Sequence, residues 1–117
     1  MPVTLYHNPR CSKSRATLAL LQEKGVSPEI VEYLNAPPSV DELKRILTML
    51  GMKPRELLRF KEAKEAGLDD SNLSDDALIA GMVANPIVIE RPIVVSGGKA
   101  RIGRPPESVL EIVEVVG

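Results

Sequence analysis

This chain has very few of the side chains on which metal sites, disulfides and base stacking depend. Its 117 residues include one cysteine, one histidine, two tyrosines, one phenylalanine and no tryptophan. A single cysteine cannot close an internal disulfide, which fits a reducing cytoplasm, and one cysteine with one histidine does not make a metal-ligand set. So few aromatic rings leave little to stack on bases. We therefore expect a cytoplasmic protein with no bound metal or cofactor and no nucleic-acid partner.

The sequence also lacks any long run of apolar residues or of charge of one sign. No stretch approaches the roughly 18 apolar residues that span a bilayer, and the N-terminus lacks the pattern of a signal peptide. Because 15 basic and 16 acidic residues leave a net charge of −1, the overall field does not favour nucleic acid. A content of 44% hydrophobic and 26% charged residues is ordinary for a soluble globular protein. We predict one domain over residues 1–117, monomeric and without a membrane partner.

The first part of the chain is predicted to form a β-α-β unit. An apolar run indicates a strand over residues 3–7, and a helix is expected from Ser12 to Lys24, with Gly25 at its C-terminal end. A second strand is predicted over residues 30–34. A crossover helix between two strands favours parallel pairing.

The middle of the chain, about residues 39–85, is predicted to be a helical insert. Ser39 begins a capping box, and Ser74 is a good N-cap for a second long helix. Lys53-Pro54 can start a short helix, whereas the charged stretch from Arg59 to Lys64 fits either a helix or a loop. Apolar residues at helical spacing give the first long helix a buried face: Leu43, Ile46, Leu47 and Leu50.

The last part of the chain is predicted to be a hairpin followed by a helix. Two short strands, 93–95 and 99–102, flank Gly97-Gly98. A final helix from Pro105 would bury four apolar residues: Val109, Ile112, Val113 and Val116. The order βαβ…ββα is that of a thioredoxin-like α/β fold, with a mixed four-stranded sheet and the helical insert between its halves. Pro92 occupies the place where that fold usually has a cis proline facing its active turn.

Cys11 lies where the first strand gives way to the first helix. The unpaired N–H groups and partial positive charge at a helix N-terminus favour a thiolate over a thiol. Arg10, Lys13 and Arg15 add positive charge from neighbouring positions. A free cysteine is more often a small buried hydrophobe, but this cationic setting indicates a nucleophile.

Two polar residues near Cys11 are further candidates for a catalytic role. His7 ends the first strand, where it either tunes the thiol or holds the turn, or is only a polar strand-end residue satisfied by the backbone. Ser14 lies about one helical turn after Cys11. Its hydroxyl could donate to the thiolate, or Ser14 is simply a residue of the first helical turn. Asn8 and Pro9 more plausibly shape the loop.

The segment 7–15, His-Asn-Pro-Arg-Cys-Ser-Lys-Ser-Arg, resembles the HNPxCxxSR-type motif of the glutaredoxin-coupled arsenate reductases, the ArsC-like family. Segments 90–95 and 102–107 resemble two further blocks of that family, and 57–59 is similar to a third. The blocks follow the family's order over nearly the whole chain. The larger Arg10, Ser12 and Lys13 around the cysteine, and the end of the chain at Gly117, are similar to a short chromosomal branch of the family.

The resemblance implies arsenate reduction and a role in arsenic detoxification. It implies that Cys11 attacks arsenate, that Arg59, Arg91 and Arg104 bind the oxyanion, that glutathione is a co-substrate and that glutaredoxin donates electrons. From its chemistry, arginine suits such a clamp because its guanidinium is planar, forked and always charged, although each arginine alone is more often part of a surface ion pair. Arg59 has the weakest assignment, because residues 60–62 after it depart from the family's better-known members.

Two other functions are compatible with the same fold. Spx-type regulators bind RNA polymerase, but they typically carry a Cys-x-x-Cys switch, and this chain has Ser14 in place of the second cysteine. A monothiol glutaredoxin that holds an iron–sulfur cluster would carry a Cys-Gly-Phe-Ser turn, whereas Ser12 and Lys13 stand in its middle here. Arsenate turnover would separate the enzyme from both alternatives.

Overall fold

The computed structural model describes residues 2–113 of the chain. The chain folds into two compact units, one built from the residues up to Ala36 together with those from Arg91 onward, the other from Pro37–Glu90. The second unit contains the predicted helical insert. That the whole chain is a single domain stays a prediction.

The first unit is built on a mixed four-stranded sheet, as predicted. Its strands are β1 (Val3–Tyr6), β2 (Glu29–Val31), β3 (Ile93–Ser96) and β4 (Lys99–Ile102), in the spatial order β2-β1-β3-β4. β1 pairs in parallel with β2 and antiparallel with β3, which is also antiparallel to β4. The β3–β4 turn is Gly97-Gly98, and both glycines have positive φ, as a two-residue hairpin turn requires.

Helix α1 (Ser12–Glu23) connects β1 to β2 and covers the core of the first unit. Leu21 is fully buried on its inward face, and Leu18 packs against the same core. Gly25 follows the helix with a φ of 80°, the left-handed conformation that often terminates helices. The core that α1 joins contains seven buried residues: Val3, Leu5, Leu21, Val26, Val94, Val109 and Val113.

Two predictions for the first unit were wrong in detail. The second strand is Glu29–Val31 and not 30–34. The strand ends early because the chain turns there, with the N–H groups of Asn35 and Ala36 donating to the Glu32 carbonyl. Tyr33 lies in this turn and is buried. The last helix is a 3₁₀ helix, Pro106–Glu111. Pro105 is its N-cap and Pro106 its first residue, and the β-branched Val109 within it has a lower preference for a regular α-helix. The predicted buried residue Val116 lies outside the described residues.

The second unit contains three α-helices: α2 (Val40–Leu50), α3 (Phe60–Glu65) and α4 (Asp75–Ala84). As predicted, Ser39 Oγ accepts from the Glu42 N–H at 3.1 Å and Ser74 Oγ accepts from the Ala77 N–H at 3.1 Å. The charged stretch after Arg59, which fitted either a helix or a loop, forms α3. Pro54–Leu57 and Pro86–Val88 are short 3₁₀ helices.

The buried face of α2 is largely the predicted one. Leu43, Ile46 and Leu47 are buried, whereas Leu50 is only half-buried. Gly51 ends the helix with a φ of 70°. Across residues 2–113, no helix has the length and apolar character needed to cross a membrane.

Candidate active site

Cys11 is held at the N-terminus of α1 by a tight turn after β1. Its N–H donates to the Asn8 carbonyl at 3.0 Å, and its own carbonyl accepts from the Arg15 N–H at 3.0 Å in the first helical turn. The Asn8 side chain accepts from the Arg10 N–H at 3.0 Å. The turn is anchored to the sheet because the His7 N–H donates to the Val31 carbonyl at 2.8 Å.

The pKa of Cys11 is lowered from its ordinary value. Burial of the side chain, which is 8% exposed, raises the pKa, but hydrogen bonds from the Ser14 backbone N–H, the Arg91 side chain and the Lys13 backbone N–H outweigh that effect, together with the charge of Arg91. The first turn of α1 contains no acidic residue. The positive end of the helix therefore acts on the sulfur with no carboxylate in its own first turn to offset it.

Arg91 and Arg104 lie beside the sulfur, from two neighbouring segments of the first unit. Arg91 immediately precedes Pro92, the residue before β3, and Arg104 lies two residues after the end of β4. Arg104 donates through Nη2 to Cys11 Sγ at 3.9 Å and through Nε to the Arg91 carbonyl at 3.0 Å. These two guanidinium groups and the helix N-terminus surround the thiol with donors suited to an oxyanion.

The side-chain charge that lowers the pKa of Cys11 comes from a residue distant in sequence. Arg10, Lys13 and Arg15 were predicted to add positive charge to that of the helix N-terminus, but their side chains are exposed, and Arg15 donates to the Pro9 carbonyl at 3.1 Å. The charge that lowers the pKa of the thiol belongs to Arg91. Arg91 instead reaches the sulfur from the segment that precedes β3.

His7 and Ser14 form one buried hydrogen-bonded pair beneath the turn. Ser14 Oγ lies 2.6 Å from His7 Nδ1 and accepts from the Asn8 N–H at 3.0 Å. The hydroxyl is therefore engaged with the turn, and it is the backbone N–H of Ser14 that bonds the Cys11 sulfur. Burial lowers the pKa of His7. The charge of Glu32 opposes this effect by raising the pKa, and the charge of Arg15 lowers the pKa further. The buried His7–Ser14 pair therefore orders the turn.

Pro92 lies directly before β3, as predicted for the thioredoxin-like fold. The Arg91–Pro92 peptide bond is cis, and the Pro92 carbonyl accepts from the Gly103 N–H at 2.9 Å. This hydrogen bond between Gly103 and Pro92 links the segment that carries Arg91 to the segment that carries Arg104. The Arg104–Pro105 peptide bond is also cis, which the sequence did not predict.

Arg59 lies in the second unit, at the N-cap of α3. Its Nε pairs with Glu62 Oε2 at 2.8 Å, and its Nη1 lies 3.9 Å from Glu90 Oε1. Its backbone N–H donates to the Val88 carbonyl at 2.7 Å. The guanidinium is thus oriented by two carboxylates of its own unit, and its assignment to the anion stays a prediction.

The part of the chain from residue 2 to residue 113 contains no group of three or more His, Cys, Asp or Glu side chains placed to hold a metal ion. The chemistry available at Cys11 is nucleophilic attack by a thiolate on a species that the neighbouring guanidinium groups attract.

The lowered pKa of Cys11 predicts rapid alkylation at a pH where an ordinary thiol reacts slowly. Only the thiolate reacts, so the rate with iodoacetamide should level off at a pH below that for the urea-unfolded protein. Because the folded state holds the thiolate more strongly, this group adds stability above the unfolded pKa and loses it as the pH falls through the folded pKa. Coincident rate profiles for the folded and unfolded protein would contradict the lowered pKa.

The first unit is thus a thioredoxin-like sheet that carries a thiol of lowered pKa beside two guanidinium groups. The sequence profile of the ArsC family matches residues 6–112. The chain therefore belongs to the ArsC family.

Individual relatives agree with this assignment. The uncharacterized protein YfgD of Escherichia coli (strain K12) is 61% identical over 114 residues, 95% of this chain and 96% of that protein. An arsenate reductase of Haemophilus influenzae is 50% identical over 115 residues, 96% of this chain and 99% of its own. The solved structure of an arsenate reductase from Vibrio cholerae superposes with a TM-score of 0.92 at 57% identity, covering 97% of this chain and 98% of that one.

Proposed function

We propose that the protein is an arsenate reductase in which the Cys11 thiolate is the nucleophile. The observation that carries the proposal is the placement of Arg91 and Arg104 beside a thiol whose pKa is lowered. The names of the Haemophilus influenzae and Vibrio cholerae relatives support arsenate as the substrate. We extend the proposal to a cytoplasmic location, which is supported by a single cysteine that cannot close an internal disulfide.

The first step forms a covalent adduct between Cys11 and arsenate. The thiolate attacks arsenic, a sulfur–arsenic bond forms, and one arsenic–oxygen bond breaks as that oxygen takes up protons and leaves as water. Arg91 and Arg104 offset the negative charge of the oxyanion, which would otherwise repel the thiolate. Such donors are most effective where charge develops in the transition state.

Reduction then requires thiols from outside the chain, which has one cysteine. Glutathione adds to arsenic with loss of a second water molecule, and a glutaredoxin thiolate attacks the glutathione sulfur to form a mixed disulfide. The electron pair of the broken sulfur–arsenic bond stays on arsenic, which passes from As(V) to As(III). Water then displaces the Cys11 thiolate and arsenite leaves.

The supporting residues have different parts in this scheme. His7 and Ser14 hold the turn so that the backbone N–H groups point at the sulfur, and Pro92 anchors the strand that carries Arg91. We extend the oxyanion-binding role to Arg59 on the family resemblance alone. Arsenate kinetics of Arg59→Ala, with a raised KM as the expected result, test that assignment.

The regulator that binds RNA polymerase is the second candidate function, and the named relatives favour the enzyme over it. Cys11 with Ser14 cannot close the disulfide of a Cys-x-x-Cys switch. Arsenate turnover without polymerase capture from a lysate supports the enzyme, and the reverse result supports the regulator.

Turnover should require glutathione and glutaredoxin together. After the adduct forms, no second thiol of the chain can release the product, so thioredoxin with thioredoxin reductase should not replace the pair. The measurement is arsenate-dependent NADPH consumption with glutathione, glutaredoxin and glutathione reductase, omitting one component at a time. Full activity with thioredoxin as the sole reductant would contradict the proposed route.

A further inference from the structure

Gly103 occupies the point where the end of β4 approaches α1. It is buried, it directly follows β4 and precedes Arg104, and its N–H donates to the Pro92 carbonyl at 2.9 Å. The glycines with positive φ in this chain are at other positions. Backbone conformation therefore does not explain why this residue is glycine, and the reason must be space.

A side chain at Gly103 has no room. A Cβ placed there would collide with Thr17 Oγ1 and would lie 2.7 Å from Pro92 Cγ and 3.3 Å from Thr17 Cβ. Thr17 is fully buried, and its hydroxyl donates to the Lys13 carbonyl at 2.8 Å. Pro92 is buried and its ring is rigid. Neither neighbour can move aside as the end of a flexible side chain would.

We propose that Gly103 is a positioning residue for the Cys11 site. Its missing side chain lets the β4 end approach α1 closely enough to hold Arg91 and Arg104 beside the thiol. Arg104 is the next residue along the chain and donates to both the Arg91 carbonyl and Cys11 Sγ. A Cβ would push this segment away from Thr17 and press on Pro92, the residue bonded to Arg91. The kinetic part of this inference rests on the proposed function.

The test is Gly103→Ala, measured in two independent ways. The pKa of Cys11, followed by the ultraviolet absorbance of the thiolate, should rise toward the ordinary thiol value as Arg91 moves away from the sulfur. The kcat/KM for arsenate should fall by about 10- to 100-fold, since a misplacement of about 1 Å can cost roughly 100-fold. The first measurement needs no turnover.

Gly81→Ala is the matched control. This glycine of α4 also lacks room for a Cβ, which would lie 2.5 Å from Leu68 Cδ2, but the neighbour is a flexible side chain and both residues belong to the second unit. Gly81→Ala should alter stability and leave the pKa of Cys11 unchanged. An equal pKa shift in both variants would overturn the inference, because general destabilisation would then explain it.

Thr17→Ala provides the second variant. The double variant Thr17→Ala/Gly103→Ala removes the collision of the new Cβ with Thr17 Oγ1 and keeps its close approach to Pro92 Cγ. The pKa of Cys11 in the double variant should therefore lie between the values in Gly103→Ala and in Thr17→Ala. Should Gly103→Ala fail to fold, the comparison of the double variant with Thr17→Ala carries the test, and equal pKa values for these two would overturn the inference. If no variant turns over arsenate, and neither does the wild-type protein, the proposed function fails while the pKa comparison still decides the role of Gly103.

Discussion

Cys11→Ser should reduce arsenate turnover to the uncatalysed background. A serine hydroxyl does not ionise near neutral pH, so it cannot replace the thiolate as nucleophile. The change is nearly isosteric, and the hydroxyl can still accept from the backbone N–H groups of Lys13 and Ser14 that bond the sulfur. The protein should therefore stay folded, with a far-ultraviolet circular dichroism spectrum like that of the wild type.

Ser12→Ala is the control for this variant. Ser12 is exposed and is the first residue of α1, so its removal changes the same turn without touching the sulfur. It should keep most of the wild-type kcat/KM. Substantial activity in Cys11→Ser, or an equal loss in Ser12→Ala, would remove the nucleophile assignment.

The parts of the fold that depend on short-range pattern were predictable. Ser39 and Ser74 act as N-caps, Gly97-Gly98 forms the hairpin turn, and the strand-to-helix turn places Cys11 at a helix N-terminus. In each case the residues that determine the structure lie within a few positions of one another. The parallel pairing of β1 and β2 followed from the crossover helix between them.

The features that sequence did not predict depend on contacts between distant segments. The hydroxyl of Ser14 bonds His7, seven residues earlier, because the turn folds back beneath the helix. Arg91, not the neighbours of Cys11 in sequence, supplies the charge that lowers the thiol pKa. The close approach of Gly103 to Thr17 follows from how β4 packs on α1. The signal available in the sequence was the polar residue Thr17, which lies four residues before Leu21 and therefore on the inward face of α1.

Arg91→Ala and Arg104→Ala should each lower the kcat/KM for arsenate by roughly 10- to 150-fold. A hydrogen bond to a charged group contributes about 1.5–3 kcal/mol, and each 1.36 kcal/mol is about a factor of ten in rate. The two losses should differ in kind. Because Arg91 bonds the sulfur and lowers its pKa, Arg91→Ala should also move the pH dependence of alkylation upward.

Arg104→Ala should act mainly on the anion, since its Nη2 is 3.9 Å from the sulfur, with a raised KM for arsenate and weaker inhibition by sulfate. Sulfate should compete with arsenate in the wild type, because guanidinium groups recognise charge and tetrahedral shape more than the central atom.

Arg101→Ala is the control: this arginine of β4 pairs with Glu111 at 3.9 Å and should be dispensable for turnover. Wild-type kinetics in both Arg91→Ala and Arg104→Ala would refute the oxyanion site, because these two guanidinium groups are the ones placed at the Cys11 sulfur.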